Sequence, residues 1–318
     1  MAVTLEQAKL NVQDDLQLAV IDEFQKNNYL WAHLTFDDVI SPTGGGGTLT
    51  YSYNRVKTQP TAAFRAINEE YTPQEVTKER KHVDLAIFGG SFQIDRVIAN
   101  MGGIVNEATF QMSQKIKAAS ALFNDTVING DTGVNAKAFD GLDKAVTGSA
   151  TENKLATALD LSTGDALDKN YKEFLDDIDE TLANMDGTPS CLLMGPKMYT
   201  KFKAIIRRAT AYQETKDNFG RIIPAYDGIP LINLGAKSGS NDPVVGVDDI
   251  SGTTSIYAVR FGLDGFHAVS MAGQAPVTSN LPDFSTAGAV KEGDVEMVAA
   301  VALKATKAAA VLRNIKVK

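Results

Sequence analysis

The sequence predicts an α+β protein, and three observations carry that prediction. Leu49, Tyr51 and Tyr53 alternate with Thr50, Ser52 and Asn54, the two-residue period of a half-buried strand. From Ile94 to about Ile128 apolar residues recur at helical spacing. Beyond Ser255 the chain returns to strand-like runs. The 318 residues are 44% hydrophobic and 22% charged, ordinary globular values that exclude wholesale disorder and leave apolar surface for about two domains or one elaborate one. With 31 Lys+Arg against 39 Asp+Glu the net charge is -8, which speaks against a general nucleic-acid binder. One cysteine, Cys191, excludes a disulfide within the chain. No apolar run approaches the ~20 residues that span a bilayer, and the N-terminus lacks the basic head and apolar stretch of a secretory signal.

Each element has its own justification. Residues 4 to 27 read as a helix, with Leu5, Ala8, Val12, Leu16, Ala19 and Phe24 on one face and Thr4 as its cap. The first 40 residues are acidic: Glu6, Asp14, Asp15, Asp22, Glu23, Asp37 and Asp38 face only Lys9 and Lys26. Gly44 to Gly47 read as a hinge, since no helix follows to make them a phosphate cradle. After the strand at Leu49 to Tyr53, Pro60 punctuates and Ala62 to Ile67 read as a weaker second strand, so that 48–67 form a hairpin whose charges, Arg55, Lys57 and Arg65, are all basic. A two-stranded hairpin is marginal alone in water. It packs on its own domain or reaches a neighbouring subunit with a complementary acidic surface. Residues 74–89 read as a strand leaving the hairpin.

Ser91 then reads as the N-cap of a helix running to Ile128, stopped by Asn129-Gly130. At 1.5 Å per residue such a helix is roughly 57 Å long, against a radius of gyration of about 20 Å for a compact chain of this size, so the subunit is expected to be flat or elongated, with Gly102-Gly103 as a bend. A loop carries Phe139-Asp140-Gly141-Leu142. Next come a helix at 165–185, a buried strand at Ser190 to Met194, a helix from Pro196 to Arg208, and a turn entering a strand within Ile222 to Leu234. Residues 238–249 read as loop. Strands follow at 255–260, 265–270, 295–306 and 308–317. From Lys304 onward the chain carries Lys304, Lys307, Arg313, Lys316 and Lys318 with no acid, read either as contact with packaged nucleic acid or an acidic neighbour, or as a solvated strand face.

The usual signatures of chemistry are missing. His33, His82 and His267 lie in unrelated contexts, with no HExxH, no GxSxG elbow and no GxxxxGK[ST] loop. Cys191 lies in an apolar run and reads as buried, not as a nucleophile. Asp176, Asp177, Asp179 and Glu180 fall on the solvated side of a helical pattern, not in a metal site. Asn124-Asp125-Thr126 matches a glycosylation acceptor without a secretory signal to make it one.

The order of these elements carries a resemblance. Ala121-Leu122-Phe123-Asn124-Asp125-Thr126-Val127-Ile128-Asn129-Gly130-Asp131 after a long helix, then Phe139-Asp140-Gly141-Leu142, then Cys191-Leu192-Leu193-Met194-Gly195 before a helix and Asp227-Gly228-Ile229-Pro230-Leu231-Ile232, resemble the tailed-phage major capsid proteins of the HK97-like fold. The resemblance implies an N-terminal arm (1–47), an extended loop (48–73), a peripheral domain (74–145) with a spine helix at 91–128, an axial domain (146–285), and a closing β segment (286–318) returning to the peripheral domain. It implies a protein that is not an enzyme and needs no cofactor or metal. It implies self-assembly into hexamers and pentamers of an icosahedral shell around double-stranded DNA, held by non-specific contact, in a virion assembled in the host cytoplasm. A portal protein is an expected partner, and the resemblance implies a separate scaffolding protein, or none, because the hairpin begins too early for a built-in scaffolding segment. No membrane is involved. The expected subunit interface lies on the loop: Tyr51, Tyr53, Arg55, Lys57, Phe64 and Arg65. Two alternatives stand beside it: an encapsulin-like bacterial compartment of the same fold, and a soluble α/β enzyme.

Overall fold

A computed structural model describes residues 29–40, 49–58, 60–100, 107–209, 213–216, 222–272 and 277–318. The helix expected over 4–27, the Gly44 to Gly47 hinge and Gly102-Gly103 lie outside the described residues. In chain order the elements are α1 (Tyr29–His33), β1 (Phe36–Ile40), β2 (Thr50–Val56), β3 (Lys78–Asp84), β4 (Ala86–Asp95), α2 (Arg96–Asn100), α3 (Glu107–Asn129), α4 (Leu142–Val146), β5 (Glu152–Asp160), α5 (Gly164–Ala183), β6 (Cys191–Met194), α6 (Pro196–Arg208), β7 (Gln213–Lys216), β8 (Ile222–Tyr226), β9 (Ile229–Asn233), β10 (Thr253–Val259), β11 (Phe266–Met271), β12 (Val277–Asn280), β13 (Val290–Leu303), a 3-10 turn (Thr306–Ala308) and β14 (Ala309–Lys316).

The strands form three sheets. A seven-stranded sheet runs β5-β14-β10-β6-β9-β8-β7. Its β6 is buried throughout because it lies between β10 and β9 with both faces covered, which is why it reads as an unbroken apolar run. On one face Phe174 and Ile178 of α5 and Met198, Phe202 and Ile205 of α6 pack on Leu192, Met194, Ala258 and Leu312. α6 starts at Pro196, whose missing N–H costs nothing in the first turn, and α5 at Thr163, whose hydroxyl accepts from the Ala166 N–H at 3.1 Å. A five-stranded sheet runs β1-β11-β13-β12, with β4 also on β13. The third sheet is the hairpin β2-β3.

The end of α3 fills the space between the two larger sheets. Phe123 is fully buried; Trp31 and Phe36 sit 5.0 and 6.3 Å from its ring, Phe88 and Phe139 at 6.1 and 6.0 Å. The loop after α3 doubles back tightly. The Gly141 N–H donates to Gly130 O at 2.8 Å, and a Cβ on Gly130 would meet Phe139 O at 2.3 Å, so the approach requires glycine there.

Two sequence expectations are corrected. Helix is described over Arg96–Asn100 and Glu107–Asn129, and not from Ser91: ten residues from Ala86 to Asp95 pair instead with β13, from Asp95↔Val290 to Ala86↔Ala299. Phe92 and Ile94 alternate into the core, and Phe92 lies over Gly293, which has no side chain to obstruct it. Strand pairing with a distant segment thus overrides a local helical period. The hairpin's return strand is not Ala62 to Ile67 but β3, Lys78–Asp84, which lies within the segment read from sequence as a strand leaving the hairpin and instead closes it. The sheets do not follow chain order. β14 is the second strand of the seven-stranded sheet, and β11 and β12, inside 146–285, belong to the five-stranded one. Strand β5 pairs parallel with β14 and was read as no element at all in the sequence.

Candidate functional site: the extended hairpin

The hairpin is built from a seven-pair ladder, from Thr50↔Asp84 to Val56↔Lys78, rooted where the Leu85 N–H donates to Leu49 O at 2.8 Å. Its two faces differ. Alternation puts Tyr51, Tyr53 and Arg55 inward, opposite Val83, Lys81 and Glu79. The Tyr51 hydroxyl donates to Asp37 Oδ2 at 2.9 Å and the Tyr53 hydroxyl to Leu303 O at 2.9 Å. Arg55 donates from Nε to Lys304 O (2.9 Å), from Nη2 to Leu303 O (2.7 Å) and from Nη1 to Thr306 Oγ1 (3.0 Å). These acceptors lie where β13 ends and the chain turns into β14, so backbone carbonyls that leave the β13 ladder find their donors on the hairpin. Lys304 completes the cluster, its Nζ 3.7 Å from Asp37 Oδ2 and 5.5 Å from the Tyr51 ring centroid. Burial, then the bond to Asp37, pushes the Tyr51 phenol well above its ordinary range. Burial also raises Tyr53, opposed by the Arg55 charge. The outer face is polar: Ser52 Oγ and His82 Nδ1 lie 2.9 Å apart, Thr50 Oγ1 donates to Asp84 at 2.6 Å, and Lys78 and Arg80 are exposed.

Beyond the ladder two limbs continue together without strand pairing. The Lys57 N–H donates to Thr77 O at 2.8 Å, the Thr58 and Thr77 hydroxyls meet at 2.6 Å, and Gln74 Oε1 accepts from the Thr61 N–H at 2.6 Å. The tip turns at 66–69, with Asn68 at φ 70° and the Arg65 guanidinium donating to the Ala66 and Glu69 carbonyls. Every residue from 60 to 78 is exposed. Phe64, at 107% exposure, has no cover at all, and Ile67, Tyr71 and Val76 are exposed beside it.

The six residues singled out from sequence therefore divide. Tyr51, Tyr53 and Arg55 are engaged by their own chain. Lys57, Phe64 and Arg65 stand on the projecting part. Ile67, Tyr71 and Gln74, on the same projecting part, were not among the residues singled out from sequence. Sequence reasoning missed the anchors Asp37, Lys304 and Thr306; the last two lie some 250 positions from Arg55 and carry no local signal.

The other sequence-flagged features are structural. Arg313 pairs with Asp143 (2.7 Å) and Glu152 (2.6 Å), Lys316 lies 3.9 Å from Asp160, and Lys318 lies 3.1 Å from Asp249. With Lys304 on Asp37, four of the five C-terminal cations lie within 4 Å of carboxylates of the same chain. Cys191 is buried, and burial pushes its thiol far up, away from nucleophilic use. Asp179 accepts from the Tyr226 hydroxyl at 2.7 Å. Among the described residues no group of three or more His, Cys, Asp or Glu is placed to hold a metal ion, and no helix is long and apolar enough to cross a membrane.

No family model matches the sequence, and no curated protein matches it. Solved structures do match, over nearly the whole chain. A holo-SrpI encapsulin complex from Synechococcus elongatus PCC 7942 superposes with a TM-score of 0.68 at 17% identity, over 99% of this chain and 97% of that one. The capsid of a native GTA particle gives 0.62 at 13% identity, over 99% of both chains. The capsid of Myoviridae phage XM1 gives 0.59 at 10% identity, again over 99% of both. The chain has the HK97-like fold. Coverage near 99% on both sides means that the HK97-like match takes in the hairpin and both large sheets, and is not confined to a shared core.

Proposed function

We propose that this protein is a shell subunit: the major capsid protein of a tailed phage, which assembles with copies of itself into hexamers and pentamers of an icosahedral shell enclosing double-stranded DNA. The observation that carries the reading is the extended hairpin, braced at its base by its own chain and projecting a limb with uncovered Phe64, Ile67 and Tyr71. Exposed aromatic and aliphatic side chains on a monomer are what an interface buries. In an HK97-like subunit the natural cover is the next copy. On this reading the five-stranded sheet with α3 serves as the peripheral region and the seven-stranded sheet as the axial region. A portal protein and a separate scaffolding protein are the expected partners, and the virion is the place of work, after assembly in the host cytoplasm. The working parts are interfaces, with no catalytic residue assigned.

A second reading keeps the shell and changes the content. The match to an encapsulin, at a TM-score of 0.68, favours it as a bacterial compartment that encloses protein cargo. Electron microscopy of the purified protein, expressed alone and with its neighbouring genes, tests both. Closed shells of uniform size are expected. Nuclease-protected DNA inside supports the capsid, and protein cargo inside supports the compartment. A monodisperse monomer or dimer under every condition counts against a shell subunit.

A further inference from the structure

His267 lies under the hairpin base in an unusual setting. It sits in β11, opposite Ala302 of β13, and is fully buried. Neither ring nitrogen has a well-aligned hydrogen-bond partner. A buried imidazole is normally oriented by at least one such bond, and this one keeps its acceptor and donor capacity in reserve. Its neighbours are the groups that fix the hairpin. From β1, Asp37 Oδ2 is 3.9 Å from Nε2. From β2, the Tyr51 ring stands 5.8 Å away, edge to face, while its hydroxyl donates to that same Asp37 oxygen. From the end of β13, the Lys304 ammonium is 3.7 Å from Asp37 Oδ2. On the turn before β11, Asp264 lies nearby with its charge tied to Arg260 at 2.8 Å. One carboxylate oxygen thus serves a phenol from the hairpin, a lysine from the β13 end and, at longer range, a histidine.

We propose that His267, Asp37, Lys304 and Tyr51 form a proton-gated joint that releases the base of the hairpin in mild acid. With His267 neutral, Asp37 is free to hold Tyr51 and Lys304, and the hairpin stays seated on the β13–β14 turn. A proton on Nε2 places a second cation beside Asp37, on a side chain that is fully buried. The carboxylate then turns to His267, and the bond to Tyr51 and the contact with Lys304 loosen together. Arg55 and Tyr53, on the same strand face, lose their aim at Leu303 and Lys304 once Tyr51 moves.

The pH direction follows from the same environment. Burial first, then the Lys304 charge, holds the folded imidazole below its ordinary value, while Asp37, the Gly265 backbone and Asp264 pull more weakly the other way. The unfolded or released state therefore binds the proton more readily. The stability that His267 lends to the seated state is complete above its ordinary value of about 6.5 and is lost as the pH falls below it. One linked proton changes the opening equilibrium by at most about tenfold per pH unit.

The test uses the full chain in two measurements. The first follows the His267 imidazole resonances by NMR from pH 8 to 4.5, assigned against His267→Gln. The second follows hydrogen exchange of the amides of 50–56 over the same range, normalised for intrinsic exchange, in wild type, His267→Gln and Asp37→Asn. The expected result is an imidazole that titrates below 6.5, with the opening of 50–56 rising up to about tenfold per pH unit in the same step and the step absent in His267→Gln. The proposal is overturned by protection of 50–56 that does not change with pH, or by the same acid step in His267→Gln. Should the glutamine variant fail to fold, the wild type alone decides: a titration without a coincident loss of protection in 50–56 overturns the joint. The joint stands on its own geometry and does not depend on whether the protein forms shells.

Discussion

Arg55 commits its guanidinium to three acceptors, two of them backbone carbonyls at the end of β13. A planar fork of fixed donors can do this and a lysine cannot. Arg55→Ala is therefore expected to cost about 1–3 kcal/mol, the usual penalty for stranding part-buried acceptors, read as a lower urea midpoint with an unchanged slope. Arg55→Lys is expected to recover less than half of it, and a variant as stable as wild type would show that the hairpin base needs no anchor. Cys191 makes an independent residue-scale case. Its burial predicts no labelling by a soluble maleimide in the native chain at neutral pH and full labelling in denaturant. Native labelling would mean that β6 opens to solvent. The apolar neighbours of Cys191 announced its burial, because the signal was local. Nothing near Arg55 announced Leu303 or Thr306.

The same contrast holds for whole elements. α6 runs from Pro196 to Arg208, where its sequence signals place it, because a proline in the first turn and an apolar face of Met198, Phe202, Ile205 and Ile206 are all contained in the segment. The stop of α3 at Asn129 was legible for the same reason. The pairing of β3 was not, since its partner β2 lies across the whole loop and its inward residues include Glu79 and Lys81, which the hairpin face accommodates opposite Arg55 and Tyr53. The projecting limb gives the element-scale prediction. No side chain from 60 to 78 is buried, so replacing 58–77 with a two-residue Asn-Gly turn removes little packing. Closing the shorter loop favours the ladder by about 1–2 kcal/mol. The variant is expected to fold with a melting temperature at or slightly above wild type, yet to form no shells by electron microscopy. Normal shells from it would remove the hairpin tip from the proposed interface, and an unfolded product would mean that the tip supports the subunit itself.

At the scale of the molecule, one core spans both large sheets. A single cluster of buried side chains joins Ala268, Ala300 and Val301 of the five-stranded sheet to Leu193, Val259 and Val311 of the seven-stranded one, with Phe123 and Phe139 between them and Tyr51 of the hairpin at its margin. β13 and β14, joined by one 3-10 turn, sew the two sheets together. Elements that share a core and a continuous strand pair unfold together. The dilute, unassembled chain is therefore expected to unfold in one cooperative transition despite its length. Trp31, the chain's one tryptophan, lies 5.0 Å from Phe123, edge to face, and reports on that junction. Its fluorescence and the far-ultraviolet circular dichroism of both sheets should trace the same urea curve. Phe123→Ala, which empties the centre of the junction, is expected to cost about 3–5 kcal/mol and to move both curves by the same amount. Two separated transitions, with only the fluorescence curve displaced by the mutation, would show instead that the sheets are independent domains touching at α3, and that the division read from the sequence is the energetic one.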